Sequence, residues 1–293
     1  MSAILHLASR NIKVYLRDRT AVFFSMISVF IIIGLYAVFL GSNTVQSIEQ
    51  SVGQGVEGVR WLVDSWIMAG ILIVNSVTVT LGVFGTMIDD ESKKRLSGFL
   101  VAPVSRGKLV TGYLVAAVSV GFLLSLLALA LAEVYIVANG GEFLSLTALL
   151  KVLALLIYNT LASSCLVFFL VSLVRTSSGF ATLSTILGTT IGFITGIYMP
   201  IGAFPEAVQS VIKVIPTSHA AALMRQIMME GPLAKVFAGA PQELYDDFTT
   251  VFGMRIFFGT TEVTTGTMLL VVGAAGLLFL GLSIIRMSRR KIG

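Results

Sequence analysis

Apolar residues run through this chain in long blocks separated by short polar stretches. Six blocks stand out, at about 21–40, 61–88, 109–137, 149–174, 178–198 and 263–285. About 20 residues wound as an α-helix rise ~30 Å, one hydrocarbon thickness. The pattern predicts an all-α polytopic membrane protein with six transmembrane helices in a single domain, 1–293. Residues 1–20 read as an amphipathic interfacial helix. Leu5, Ala8, Ile12 and Tyr15 fall on one stripe, and Arg10, Lys13 and Arg17 on another. The first block is long for a signal sequence and no small-residue cleavage site follows it, so it reads as a retained span. Residues 41–60 are polar but keep a helical stripe of Val45, Ile48, Val52, Val56 and Val59, as either a surface helix or an extension of a span. Trp61 and Trp66 are placed as interfacial anchors of the second span.

Composition agrees with this pattern. The chain is 56% hydrophobic and only 12% charged, against about 25% in soluble domains. The net charge of +5 does not indicate nucleic acid, because the basic residues sit at the ends of apolar runs. Arg10, Lys13, Arg17, Arg19, Lys93, Lys94, Arg95, Arg106, Lys108, Arg175, Arg286, Arg289, Arg290 and Lys291 share one set of ends. Arg60, Lys151, Lys213, Arg225, Lys235 and Arg255 lie at the other. That bias predicts both termini in the cytoplasm. The lone Cys165 excludes an intramolecular disulfide and a cysteine-based metal site.

Catalytic and metal-binding chemistry finds no purchase in these residues. A nucleotide-cradling loop is missing: Gly107–Lys108 is followed by Leu109, and Ala102 stands where its first glycine would be. His6 and His219 are far apart, and no span holds a pair of carboxylates. Asp64 and Glu133 fall near the outer ends of spans 2 and 3, where water can solvate them. Span 2 carries Asn75, Thr78, Gly82 and Thr86 at helical spacing, beside Ser76 and Thr80. Span 5 carries Ser184, Gly188, Gly192 and Gly196, beside Thr185, Thr189, Thr190 and Thr195. Such stripes serve either close helix contact and interhelical hydrogen bonds or a weakly polar path.

Two segments outside the spans are unusual. Residues 89–108, DDESKKRLSGFLVAPVSRGK, are the most charged stretch. A short helix there would present Leu96, Phe99 and Leu100 on one face, framed by Lys93, Lys94 and Arg95. Such a face meets a partner or the membrane surface. In the extracellular segment 199–262, Pro200, Pro205 and Pro216 bracket an apolar stretch, 207–215, too short to cross a bilayer. A re-entrant or interfacial hairpin on the outer side fits it.

Together these features resemble the type-2 ABC exporter permease family. DDESKKRLSGFLVAPVSRGKLVTGYL is similar to that family's loop between spans 2 and 3 at Glu91, Leu96, Leu100, Pro103, Val104, Ser105, Arg106, Leu109 and Gly112. Arg95-Leu96-Ser97-Gly98 stands where the family often has Gly-Thr-Leu-Glu. IYMPIGAFPEAVQSVIKVIPTSHAAALMRQI is similar to its exit from span 5, with Pro200, Pro205, Pro216 and Arg225 in place.

The resemblance implies a cytoplasmic coupling segment, 89–108, in which Glu91, Lys93, Lys94, Arg95, Leu96, Phe99, Leu100, Pro103 and Arg106 engage an ATP-binding cassette ATPase on another chain. That partner would hold ATP and Mg, and this chain would hold no cofactor. A second permease copy or a sister permease would complete the transporter. Asn75, Thr78, Thr86, Thr185 and Thr189 would line the path, and Pro200, Phe204, Pro205 and Pro216 would form an outer gate. The expected place is a bacterial plasma membrane, amid membrane lipid. The expected substrate is an amphipathic small molecule: a drug, antibiotic, pigment or lipid-like metabolite. A polysaccharide or teichoic-acid exporter is the rival, and an ATPase-independent membrane enzyme or scaffold a remoter one.

Overall fold

The computed structural model describes residues 3–53, 55–93 and 106–289. Helix α1 (Ala3–Arg17) is followed at once by α2 (Arg19–Leu35). The break is Asp18, whose carboxylate accepts the Ala21 N–H at 3.0 Å and so caps α2. A π turn, Tyr36–Leu40, then carries α2 into α3 (Gly41–Val52), so the polar stretch after the first block extends the span. A Cβ on Gly41 would sit 2.5 Å from the Tyr36 carbonyl oxygen, so the π turn requires glycine there. Next come α4 (Val59–Ser92), α5 (Arg106–Ala138), α6 (Leu146–Ser172) and α7 (Ser177–Ile194). Ser145 and Thr176 cap α6 and α7 through the N–H groups of Ala148 and Gly179. The part between α7 and the last helix comprises α8 (Glu206–Val214), α9 (Pro216–Met228), α10 (Glu230–Val236), α11 (Gln242–Val251) and a two-stranded hairpin, β1 (Phe257–Phe258) and β2 (Thr261–Glu262). The last helix is α12 (Thr265–Arg289). Among the described residues six helices are long and apolar enough to cross a membrane: Arg19–Val38, Val59–Ser92, Gly107–Ala138, Leu146–Ser172, Ser177–Ile194 and Thr265–Met287.

Helix α4 is the axle. It packs against α2, α5, α6, α7 and α9, and from Leu62 to Ile88 only Thr78, Gly82, Gly85 and Thr86 are not buried. Lipid tails are as apolar as leucine, so burial of apolar surface does not draw these helices together. Close approach and polar contacts do. Asn159 of α6 donates to Ser76 of α4 at 2.6 Å, and Asn75 donates to Ser125 of α5 at 3.4 Å. Gly121 of α5 lets three helices meet: a Cβ there would lie 2.9 Å from the methyl carbons of both Thr80 and Thr160. Helix α1 lies across α5 with Leu7 over Gly112, and α12 packs on α6 with Gly276 over Ala162.

Three expectations change in three dimensions. On α1 the buried residues are Leu7, Ala8, Asn11 and Tyr15, while Leu5 stays 48% exposed. The covered stripe is turned toward Leu7 because the helix seats on Gly112 of α5, not on an open headgroup layer. Asp64 and Glu133 are buried, not solvated by water. Arg60 donates to Asp64 at 3.1 Å, and the Leu144 N–H donates to Glu133 at 3.0 Å. Trp66 is no interfacial anchor, for it is 1% exposed and its indole N–H is bonded to the Phe252 carbonyl at 3.0 Å.

The proline-marked segment folds as a helical hairpin. Pro216 cannot supply an N–H to α8 and instead opens α9. Ser218 donates to the carbonyls of Ile212 and Ile215, and a ring nitrogen of His219 lies 2.8 Å from the Lys213 carbonyl, which closes the elbow. Helix α9 is buried along Thr217–Arg225, whereas Val208, Val211 and Val214 of α8 are exposed. The elbow residues Pro216 and Thr217 share a small cavity with Asn159 and Gly276, near the middles of α6 and α12. The hairpin therefore enters the bundle without crossing it, which is tolerated where backbone is buried in protein.

The three-helix contact at Gly121 gives a direct test. Gly121→Ala is expected to destabilise the protein by about 1–3 kcal/mol, read as a lower unfolding temperature in detergent. Adding Thr80→Ser and Thr160→Ser, which remove the two opposing methyls, is expected to restore most of the loss.

Candidate functional site

The uncovered faces of the bundle differ in chemistry. On α12 the exposed side chains include Leu270, Leu277, Leu278, Ile284 and Ile285, an aliphatic surface suited to acyl chains. On α7 the exposed positions include Thr182, Thr185, Gly188, Thr189 and Thr190, with Ile186 and Phe193 among them. Thr182, Thr185 and Thr189 each donate to a carbonyl one turn back, at 3.1, 3.0 and 2.8 Å. Their protons are thus satisfied, and they offer outward a methyl and spare acceptor lone pairs. That surface is weakly polar and uncharged. Nothing lies within 4 Å of a Cβ built on Gly188, so the small-residue stripe is open there, whereas Gly192 is covered by Tyr198, 2.3 Å from a Cβ at that position.

This face adjoins the one open strip of α4. Thr78, Gly82, Gly85 and Thr86 run along it, with both threonines bonded to their own helix. Tyr15 of α1 borders the strip at Gly82 and Phe180 of α7 borders it at Gly85. Of the residues expected to line a path, Thr78, Thr86, Thr185 and Thr189 lie on this joint surface. Asn75 does not: it is 1% exposed and turned into the subunit toward Ser125.

The C-terminal end of α7 is fastened by a buried cation. Gly196, at φ +68°, makes the left-handed turn that ends the helix, and the Ile197 N–H returns to the Gly192 carbonyl at 3.0 Å. Arg225 of α9 reaches this terminus. Its Nη2 donates to the carbonyls of Thr195 at 2.7 Å and Gly196 at 3.2 Å, and its guanidinium lies 5.1 Å from the centre of the Trp66 ring. Arg225 is 0% exposed, and among the described residues no carboxylate pairs with it. The negative end of the α7 dipole stands in for one. Tyr36, in the π turn of α2, donates to the next carbonyl, Ile197, at 2.5 Å. Gly70 makes room for Ile197, whose side chain would be 2.6 Å from a Cβ there.

Three of the expected gate residues, Pro200, Phe204 and Pro205, follow that terminus directly, whereas Pro216 stands at the elbow beside Asn159 and Gly276. Pro200 precedes a 3-10 turn, Ile201–Ala203, and Pro205 and Pro216 open α8 and α9. Phe204, Phe193 and Tyr198 form an aromatic cluster: the Phe193 ring lies 6.3 Å from Phe204 and 5.0 Å from Tyr198.

The opposite end carries the second fastening. Asp90, at the last turn of α4, is 2% exposed. Arg10 of α1 grips it with both terminal nitrogens, Nη2–Oδ1 being 2.9 Å, and Tyr113 of α5 donates to it at 2.6 Å. The bond to Asp90 raises the Arg10 pKa above its ordinary value, against the opposing effect of burial. Three helices are thus tied where α4 leaves for residues 94–105 and α5 returns. Glu91 and Lys93 lie at the end of α4 with Lys93 paired to Asp89 at 3.1 Å, and Arg106 begins α5. Lys94, Arg95, Leu96, Phe99, Leu100 and Pro103 lie outside the described residues.

Sequence reasoning missed Asp90, Arg10 and Tyr113 as a unit and Trp66 and Tyr36 as partners of Arg225. The available signals were an acidic residue inside a basic end and a single arginine in the uncharged run SHAAALMRQIM. Among the described residues no group of three His, Cys, Asp or Glu side chains gathers to hold a metal.

A protein-family model described as ABC-2 type transporter matches residues 2–229. The match runs from α1 through the first five spans and the α8–α9 hairpin into the end of α9. No curated protein matches the chain.

The tie at Asp90 predicts energetic coupling. In a double-mutant cycle on detergent-solubilised protein, Arg10→Ala and Asp90→Ala are expected to be non-additive by about 0.5–3 kcal/mol, as for residues in direct contact. Additive losses would mean that the two groups do not act together.

Proposed function

We propose that this chain, which belongs to the ABC-2 type transporter family, is the permease half of an exporter that moves an amphipathic or hydrophobic small molecule out of the cell. The observation that carries the reading is the contrast between the aliphatic uncovered face of α12 and the hydroxyl-bearing uncovered face of α7. A threonine and glycine surface gains nothing against acyl chains. It suits a second permease copy, or a sister, meeting this one across a shared path lined by α7 and the open strip of α4. An uncharged lining with spare acceptors suits a cargo with a large apolar body and few polar groups.

The drive comes from a separate ATP-binding cassette ATPase, which holds ATP and Mg. Residues 92–105 sit in a groove on that ATPase, in the cytoplasm, where both termini also lie. The Arg10–Asp90–Tyr113 tie makes α1 and the near ends of α4 and α5 move as one body when the ATPases close. Fastened through Arg225, the outer hairpin acts as the lid. A polysaccharide or teichoic-acid cargo is the second reading, and the Phe193, Tyr198 and Phe204 cluster favours it, since sugar rings stack on aromatic faces.

Two experiments test the proposal. Cysteines placed one at a time at Thr185 and Leu278 are to be challenged with a membrane-impermeant maleimide in native membranes. Thr185→Cys is expected to label and to cross-link to a neighbouring copy, and Leu278→Cys to do neither. Equal behaviour of the two would remove the path assignment. Leu96→Asp, or Lys94→Glu with Arg95→Glu, is expected to abolish co-purification of the ATPase while membrane insertion persists. Transport that survives those changes would show that the coupling segment lies elsewhere.

A further inference from the structure

A cleft of about 330 Å³ opens at the basic end of the bundle, between the end of α6 and the last turns of α12. Its walls divide by chemistry. Arg175 and Arg286 supply two guanidinium groups, while Phe169, Leu282 and Ile285 supply an apolar side. Arg286 donates to the Ser172 carbonyl at 3.4 Å, a single long bond that holds the side chain over the cleft and leaves its other donors free of that contact. Arg175 makes no ion pair with any described residue, and it is exposed in the turn before α7.

The local charge balance is one-sided. The sequence contains no Asp or Glu from Phe143 to Pro205 and none after Glu262. Neither α6 nor α12 can therefore supply the cleft with a counter-ion. Arg289 follows one turn beyond Arg286 on α12 and adds a second positive charge to that helix. A guanidinium is permanently charged and forks onto two oxygens at once. Two of them bordering an apolar wall form a site for an anion that carries a hydrocarbon chain.

We propose that this cleft binds an anionic phospholipid of the inner leaflet, its phosphate between Arg175 and Arg286 and an acyl chain along Phe169 and Leu282. The inner-leaflet position rests on the cytoplasmic placement of both termini proposed above. A zwitterionic lipid lacks the net negative charge that the site is left to balance, and a free phosphate leaves the apolar wall unused. Basic pockets between transmembrane helices on the cytoplasmic side bind headgroups in this manner, each cation contributing about a fivefold gain in affinity. A lipid there would bridge the α6–α7 turn to α12.

Full-length protein in neutral detergent is to be titrated with phosphatidylglycerol or phosphatidylcholine and followed by native mass spectrometry. Wild-type protein is expected to take up one phosphatidylglycerol in preference to phosphatidylcholine. Arg175→Gln is expected to weaken uptake about fivefold, and Arg175→Gln with Arg286→Gln about 30-fold. Arg175→Lys with Arg286→Lys is expected to retain most of it. Equal uptake of the two lipids by wild-type protein overturns the proposal, and this arm needs no variant to fold. Unchanged affinity in the double glutamine variant, or equal displacement by inorganic phosphate or by the ATPase subunit, overturns it too. A cysteine at Thr176 is to be labelled from each side of the membrane. Labelling from outside removes the inner-leaflet position, while an unchanged phosphatidylglycerol preference then shows that orientation, and not the cleft, was misassigned.

Discussion

A guanidinium buried with no carboxylate among the described residues beside it needs its charge met by something else, and the half of this protein around the end of α7 is arranged to do so. The carbonyls of Thr195 and Gly196 at the end of α7 face Arg225 because Gly196 turns the chain there. Trp66 lays its ring against the cation and ties its own N–H to Phe252. Gly253, at φ +69°, brings the chain close enough that a Cβ would lie 3.1 Å from the Arg225 side chain. A charge in the bundle is costly unless neighbouring dipoles answer it. The same ion therefore sets where α7 stops, how α9 seats and where the chain runs after α11.

The basic end is organised differently. Asp90 is answered by a full ion pair and a phenol hydroxyl drawn from three helices. Between the two fastenings runs the joint surface of α7 and α4, hydroxyl-bearing and uncovered. It is held at both ends and left open along its length. A bundle whose every span were sealed by its own chain would have no surface to share.

The six spans were legible in the sequence because length and apolarity report them directly. The facing of each span was not. In a soluble protein the apolar side of a helix is the buried side, but here acyl chains and protein interior are equally apolar. Leu5 and Leu7 of α1 are chemically alike, yet one is exposed and the other seats on Gly112. Asn75 and Thr78 share a stripe within one helical turn, and only the presence of Ser125 on α5 decides that Asn75 turns inward. Trp66 reads as an interfacial residue by type, and the carbonyl that claims its N–H lies 186 residues further along the chain. The proline-marked hairpin was readable, because proline dictates a break whatever surrounds it.

The seating of α9 also constrains the order in which the protein is built. This helix precedes α12 in the chain but is packed against α4, α6 and α12 together, and it enters from the end of the bundle opposite Asp90 without crossing. With both termini in the cytoplasm, as proposed above, its residues are first carried across with the polar segment around it and only afterwards fold back between spans already in place. Until then Arg225 is a hydrated cation outside the bilayer, and the carbonyls it will meet are capped by water. Burial of that one side chain thus marks the completion of assembly: the late step is the desolvation of the arginine, and every earlier step is ordinary helix insertion.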